Sequence, residues 1–361
     1  MSRIQLVDFH PSTSSAPSIS SHNDTSSYGI YTRSSYVSDE FSHSLLNKLQ
    51  HKLRKAVPQK PFSMKFEHVG DIKTTQAIDV KISYGCHCIL VSQYRFLTIY
   101  DLSTKQLIAK SGGERSCEYL VVEENYNLET KTGRDALILV SKYTRALQKV
   151  DLQNFIQALL KDPDDDTLEI ASRIWKSNVE SYRGMCIEYN KSTSSSNNNI
   201  IYVVCFNFIA IVSSSNGQQI GHIDPDNCAG ITFRTVTGIA WNCHNGLLLF
   251  ADSIVNRVHM LKKESCGNGS KDITFRLHHT IRRRLKTVEI DFQNPKGICV
   301  ESYTGRIFLC DEHNAQLKVF SMDGMKLLGT SEVKTPSHLC LNELTGELFV
   351  VCSYTQIKIF K

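Results

Sequence analysis

The chain lacks the short signatures of hydrolytic, nucleotide-binding and zinc-ribbon sites. No His-Glu-x-x-His, Gly-x-Ser-x-Gly, P-loop or Cys-x-x-Cys occurs in its 361 residues. It lacks an apolar run of about eighteen residues, and its start, MSRIQLVDFHPSTSS, has no apolar core of a secretory leader. A membrane-spanning helix and a cleaved leader are therefore not expected. Charge of one sign is also scarce. The net charge is +5, and residues 1–60, with seven Lys/Arg and four Asp/Glu, hold +3 of it. The +2 left over for the rest of the chain is too little to point to DNA.

Apolar residues are plentiful: 41% hydrophobic and 21% charged residues fit a soluble domain with a substantial core. Twelve cysteines in so long a chain, most of them inside or beside strand-like runs, read as buried thiols rather than a disulfide framework. The expected setting is reducing and cytoplasmic, with the nucleus as a second location.

Residues 11–44 are rich in Ser, Thr, Asn and His and poor in aliphatic side chains, so residues 1–60 are expected to be a disordered tail before a domain at 61–361. Within the tail, 44–56 reads as a short amphipathic basic helix. Ser44 would cap it, and Leu45, Leu46, Leu49 and Leu53 share a face bordered by Lys48, Lys52, Arg54 and Lys55. Alone it would be marginal. It serves either as a linker resting on the domain or as a docking helix for a partner or membrane surface.

Self-similarity organises the remainder. The clearest unit, NPKGICVESYTGRIFLCDEHNAQLKVFSMDGMKLLGT at 294–330, reads as four strands at 297–301, 306–310, 316–320 and 325–329, with a hairpin signal at Asp323-Gly324. It recurs at 335–360 and 235–261, and more faintly from Arg183, Glu118 and Ala77. Ala77, Tyr119, Gly184, Gly238, Gly297 and His338 would be equivalent first-strand positions. DLQNFIQALL, in the long loop at 151–176, reads as a helix. The sixth unit stops after three strands, and FSMKFEHV at 62–69 is an unassigned strand. Pairing the two would close a ring and remove its open edges. The expected fold is all-β, a six-bladed β-propeller closed by an N-terminal strand.

Pro295, Gly297 and Ile298, Gly305 through Leu309, Asp311, Asn314 and Leu317 through Phe320 resemble the NHL repeat. The unit at 235 keeps Gly238, Asp252 and Asn256; the last keeps Pro336 but has His338 for Gly and Cys352 for Asp. The resemblance implies a binding face built from the turns before each first strand and the turns joining second to third strands. On it would stand Tyr94, Arg95, Tyr143, Arg145, Arg183, Asn207, Asn256, Arg257, Lys296, His313, Asn314, His338 and Tyr354. Interleaved aromatic and basic groups suit an acidic peptide or single-stranded RNA. Alternatively, the Asp and Asn residues there cap local backbone. A separate basic run, Arg282, Arg283, Arg284 and Lys286, is either an anion or nuclear-localisation patch or a solvated loop.

The expected function is a non-catalytic interaction scaffold for a protein partner, with RNA as the second ligand and no cofactor or metal. The sequence is silent on oligomeric state. The alternative is an axial-metal propeller enzyme of the peptide-amidating-lyase or lactonase type, with His338 and His313 as the ligands to consider.

Overall fold

A computed structural model describes residues 59–361 apart from 95, 112–116, 127–133, 142–144, 164–171, 182, 191–198, 225–227, 229–230, 232, 265–272, 282–283, 286–287 and 290. Residues 1–58 of the expected tail, with its expected helix at 44–56, lie outside the described residues.

Each sequence unit becomes a four-stranded antiparallel sheet, six in all. The first strand, β1 (His68–Lys73), belongs to the last blade. Blade 1 is β2 (Ala77–Ser83), β3 (Cys88–Gln93), β4 (Leu97–Asp101) and β5 (Leu107–Lys110). Blade 2 is β6 (Cys117–Glu123), β7 (Ala136–Ser141), β8 (Ala146–Asp151) and β9 (Arg173–Glu180). Blade 3 is β10 (Met185–Glu188), β11 (Ile200–Val204), β12 (Ile209–Ser213) and β13 (Gln219–Ile223). Blade 4 is β14 (Val236–Asn242), β15 (Leu247–Asp252), β16 (Arg257–Glu264) and β17 (Thr274–Ile281). A two-stranded ribbon, β18 (Arg284–Leu285) and β19 (Val288–Glu289), follows it. Blade 5 is β20 (Pro295–Val300), β21 (Ile307–Asp311), β22 (Gln316–Phe320) and β23 (Leu327–Glu332). Blade 6 is β24 (Pro336–Asn342), β25 (Glu347–Cys352) and β26 (Gln356–Phe360), completed by β1. The helix expected after Val150 is α1 (Leu152–Lys161), with the Asp151 carboxylate accepting the Asn154 N–H at 2.8 Å as its N-cap.

The core is divided into six wedges, one between each pair of successive blades. This explains why the second strands (CILV, LILV, IIYVV, LLLFA, IFLC, LFVVC) are continuously apolar: both faces of each sheet are covered. Adjacent residues serve opposite interfaces, so Leu309 packs toward blade 4 while Phe308 packs toward blade 6. The wedge between blades 6 and 1 joins Val80, Ile89, Phe349 and Val351, so the ring is shut.

The closing strand differs from the sequence expectation at 62–69. Pairing with β26 involves His68–Lys73, in register Ile72↔Ile357 and Lys73↔Gln356. Glu67 already exchanges backbone hydrogen bonds with Lys361 (3.1 and 2.8 Å), and residues 59–66 form a strap. Phe62 is buried between blades 5 and 6, with its ring 5.6 Å from Phe308 and 5.0 Å from Phe66. Met64 (φ 67°) and Phe66 (φ 56°) adopt left-handed backbone, which a strand cannot contain.

The repeat alignment also shifts in blade 1. A bulge places Asp79, not Ala77, opposite Ser92, as Gly238 lies opposite Ala251 in blade 4. The axial tier is therefore Asp79, Tyr119, Gly184, Gly238, Gly297 and His338. Gly238 and Gly297 let neighbouring blades approach closely: a Cβ on Gly238 would lie 2.1 Å from the Lys296 carbonyl oxygen.

Candidate functional site

Antiparallel pairing puts the start of each first strand and the turn between second and third strands at the same end of every blade. Carboxylates on the second strands of blades 4 and 5 hold this end in shape. Asp252 accepts the backbone N–H groups of Arg234 (2.6 Å) and Thr235 (3.2 Å); Asp311 accepts that of Gln293 (2.8 Å). Lys318 neutralises Asp311 within the sheet. The motif Asp thus ties each lead-in turn to the neighbouring hairpin.

Asn314 belongs to this scaffold, donating to Asp311 (2.9 Å) and to the Asp291 carbonyl (2.6 Å). Asn256 does likewise, its side-chain oxygen accepting the Asn294 N–H at 2.8 Å and bridging blades 4 and 5.

A second network runs on toward blade 6. Lys296 donates to Glu312 Oε1 (2.7 Å) and to the Tyr354 hydroxyl (2.8 Å), and Tyr354 donates to the same carboxylate at 3.1 Å. Asn294 donates to Glu312 Oε2 (2.6 Å) and lies 3.2 Å from His313 Nε2. The structure therefore gathers Asn256, Lys296, His313 and Tyr354 across three blades. The Lys296 charge is matched by Glu312, which helps hold its pKa above the ordinary lysine value against the opposing effect of burial.

His338 stands at the axis. Its ring centroid is 5.7 Å from that of Tyr119, and in the same tier the Asp79 carboxylate pairs with Lys81 at 2.5 Å. Neither His338 ring nitrogen has a hydrogen-bond partner among the described residues, and burial pushes its pKa down to about 4. Burial also raises Tyr119 to about 12 and, one tier below, Cys340 to about 12, so neither titrates near neutrality. Among the described residues no three His, Cys, Asp or Glu side chains converge to hold a metal ion. Among those residues His313 and His338 have no further His, Cys, Asp or Glu grouped with them.

The other expected face residues are dispersed. Tyr94, Arg145, Asn207 and Arg257 are exposed on their turns, and Arg183 is half-buried. Arg95, Tyr143, Arg282, Arg283 and Lys286 lie outside the described residues. Arg284 is described only as backbone of β18.

Sequence reading passed over Phe206 and Ile254. Both occupy second-to-third strand turns and are 78% and 59% exposed. Together with Tyr94 and Tyr354, each 43% exposed, they put an apolar side chain on the same end of four blades. The available signal was an apolar residue inside a hairpin turn, where no sheet face exists to bury it.

No family model matches the chain, and no curated protein matches it. The chain is similar to a solved structure, the β-propeller domain of Cps50 (Swd1) from Myceliophteria thermophila. The TM-score is 0.53 at 11% identity, covering 82% of this chain and 99% of that one. At that identity the likeness is one of fold. No helix among the described residues is long and apolar enough to cross a membrane.

Proposed function

We propose that this six-bladed propeller is a non-catalytic scaffold that binds a protein partner on the end carrying the second-to-third strand turns. The observation carrying this reading is the set of exposed apolar side chains at Tyr94, Phe206, Ile254 and Tyr354. Rigid blades fix their spacing, and exposed aromatic and aliphatic anchors on a rigid surface are what a protein interface desolvates. The similar structure is itself named as a propeller domain, which agrees with a scaffold but carries no partner over. The motif residues Pro295, Gly297, Gly305, Asp311 and Asn314 support placing the ring in the NHL class, and the free thiols (ten among the described residues) support a reducing, cytoplasmic setting. RNA is the second ligand class.

A photo-crosslinking amino acid at position 206, in the full chain expressed in its own cells, tests the reading. A discrete protein adduct is expected there, and none from position 303, an exposed tyrosine on the opposite end. Adducts at 303 but none at 206 would refute it.

A further inference from the structure

The apolar anchors are not spread evenly in their charge surroundings. Phe206 and Ile254 belong to successive blades, 3 and 4, whose inner strands β10 and β14 adjoin. The same turns and the lead-ins beside them carry Arg183, Arg234 and Arg257. Arg234 and Arg257 are exposed, Arg183 is half-buried, and none forms an ion pair among the described residues. Elsewhere on this end the cation of blade 5 behaves differently, since Lys296 is matched by Glu312. Glu180, three positions before Arg183, is exposed and lies near that arginine in sequence, whereas Asp252, five positions before Arg257, is fully buried. Asp252 is already engaged by the backbone N–H groups of Arg234, Thr235 and Ile254. Among the described residues, Arg234 and Arg257 are therefore exposed guanidinium groups without an ion pair, on the same end of the blades as two exposed apolar side chains.

Resting on the partner-face reading above, we infer that the sector of blades 3 and 4 receives an acidic segment of the partner protein. In that segment Asp or Glu residues flank one or two apolar side chains. Guanidinium forks pair with carboxylates in a bidentate manner, which favours this occupant over a neutral or basic one. Single-stranded RNA would satisfy the charge but not the surface. Bases stack on aromatic faces, and here one of the two anchors is the aliphatic Ile254.

Selection of a displayed random library of 12-residue peptides against the full chain tests this. The expected result is recovery of peptides enriched in Asp and Glu next to Phe, Leu or Ile. A synthetic copy of a recovered peptide should lose at least tenfold in affinity to the Arg234→Glu/Arg257→Glu variant, and similarly to Phe206→Ser/Ile254→Ser. All four positions are exposed, so circular dichroism should show both variants folded. Recovered peptides without acid enrichment that bind the arginine variant unchanged but lose affinity to Phe206→Ser/Ile254→Ser would overturn the inference while leaving the partner face standing. An empty selection overturns both. Binding of a uridine 12-mer in its place, lost in the arginine variant, would assign the sector to RNA.

Discussion

Glu301 accepts the backbone N–H of Phe62 at 2.7 Å, although 239 positions separate the two in sequence. Arg306 completes the clasp, donating to the Phe62 carbonyl at 2.8 Å and pairing with Glu301 at 2.7 Å. Lys60 adds a backbone bond to the Glu343 carbonyl at 2.8 Å. Before β1 pairs with β26, the N-terminal strap is thus bonded to blades 5 and 6.

Removing the clasp should loosen the ring. Phe62→Ala deletes a fully buried ring and is expected to lower unfolding free energy by about 3–5 kcal/mol. Glu301→Gln should lower it by about 1–3 kcal/mol, since Arg306 is left with a neutral partner. Urea unfolding followed by circular dichroism measures both, and an unchanged midpoint for Phe62→Ala would show the strap to be dispensable.

Close approach of blades 4 and 5 depends on the missing Cβ at 238. Gly238→Ala should destabilise by about 3 kcal/mol, because the carbonyl it would strike is backbone. Gly70→Ala, on the edge strand β1 with nothing within 4 Å of a new Cβ, is the matched control and should be neutral or slightly stabilising. Equal midpoints for the two variants would contradict the axial packing.

A buried ion pair within blade 2 anchors blade 3: Lys149 Nζ lies 2.6 Å from Glu123 Oε2, both side chains are almost fully enclosed, and Lys149 donates to the Ser214 carbonyl at 3.0 Å. Glu123 also accepts from Ser214 (2.5 Å) and Asn199 (2.7 Å). Lys149→Met should cost about 3–5 kcal/mol by leaving that carboxylate uncompensated. The double variant Lys149→Met/Glu123→Gln should recover much of the loss. A double-mutant cycle showing no coupling would rule out the pair as a structural link.

Stability should fall as pH drops from about 6.5 to about 4.5. Burial holds His259 and His338 near 4, below the ordinary histidine value of 6.5, so in this window the unfolded chain binds protons that the folded chain refuses. Each contributes a slope of at most about 1.4 kcal/mol per pH unit. Asp135 works in the opposite sense. It is buried and accepts from Ser83 (2.6 Å), Gly85 (2.9 Å) and Asn125 (3.1 Å), and burial raises its pKa to about 6. The folded state therefore takes up its proton first and gains stability below pH 6. Replacing both histidines with leucine should flatten or reverse the slope measured by urea midpoints at pH 6.5, 5.5 and 4.5. An unaltered slope would place the titrating groups elsewhere.

Strand runs, hairpin turns and the sixfold recurrence were legible in the sequence because they are local. A continuous apolar run such as IFLC at 307–310 shows that both faces of a sheet must be covered, and its repetition shows by what. Tertiary packing decided the rest. Phe62 reads as a strand residue until Phe308 and Glu301 are brought beside it, and Lys296 reads as a free cation until Glu312 lies 2.7 Å away. In each case the outcome depends on a hydrogen-bonded neighbour 16 to 239 positions away, and short-range periodicity carries no record of it.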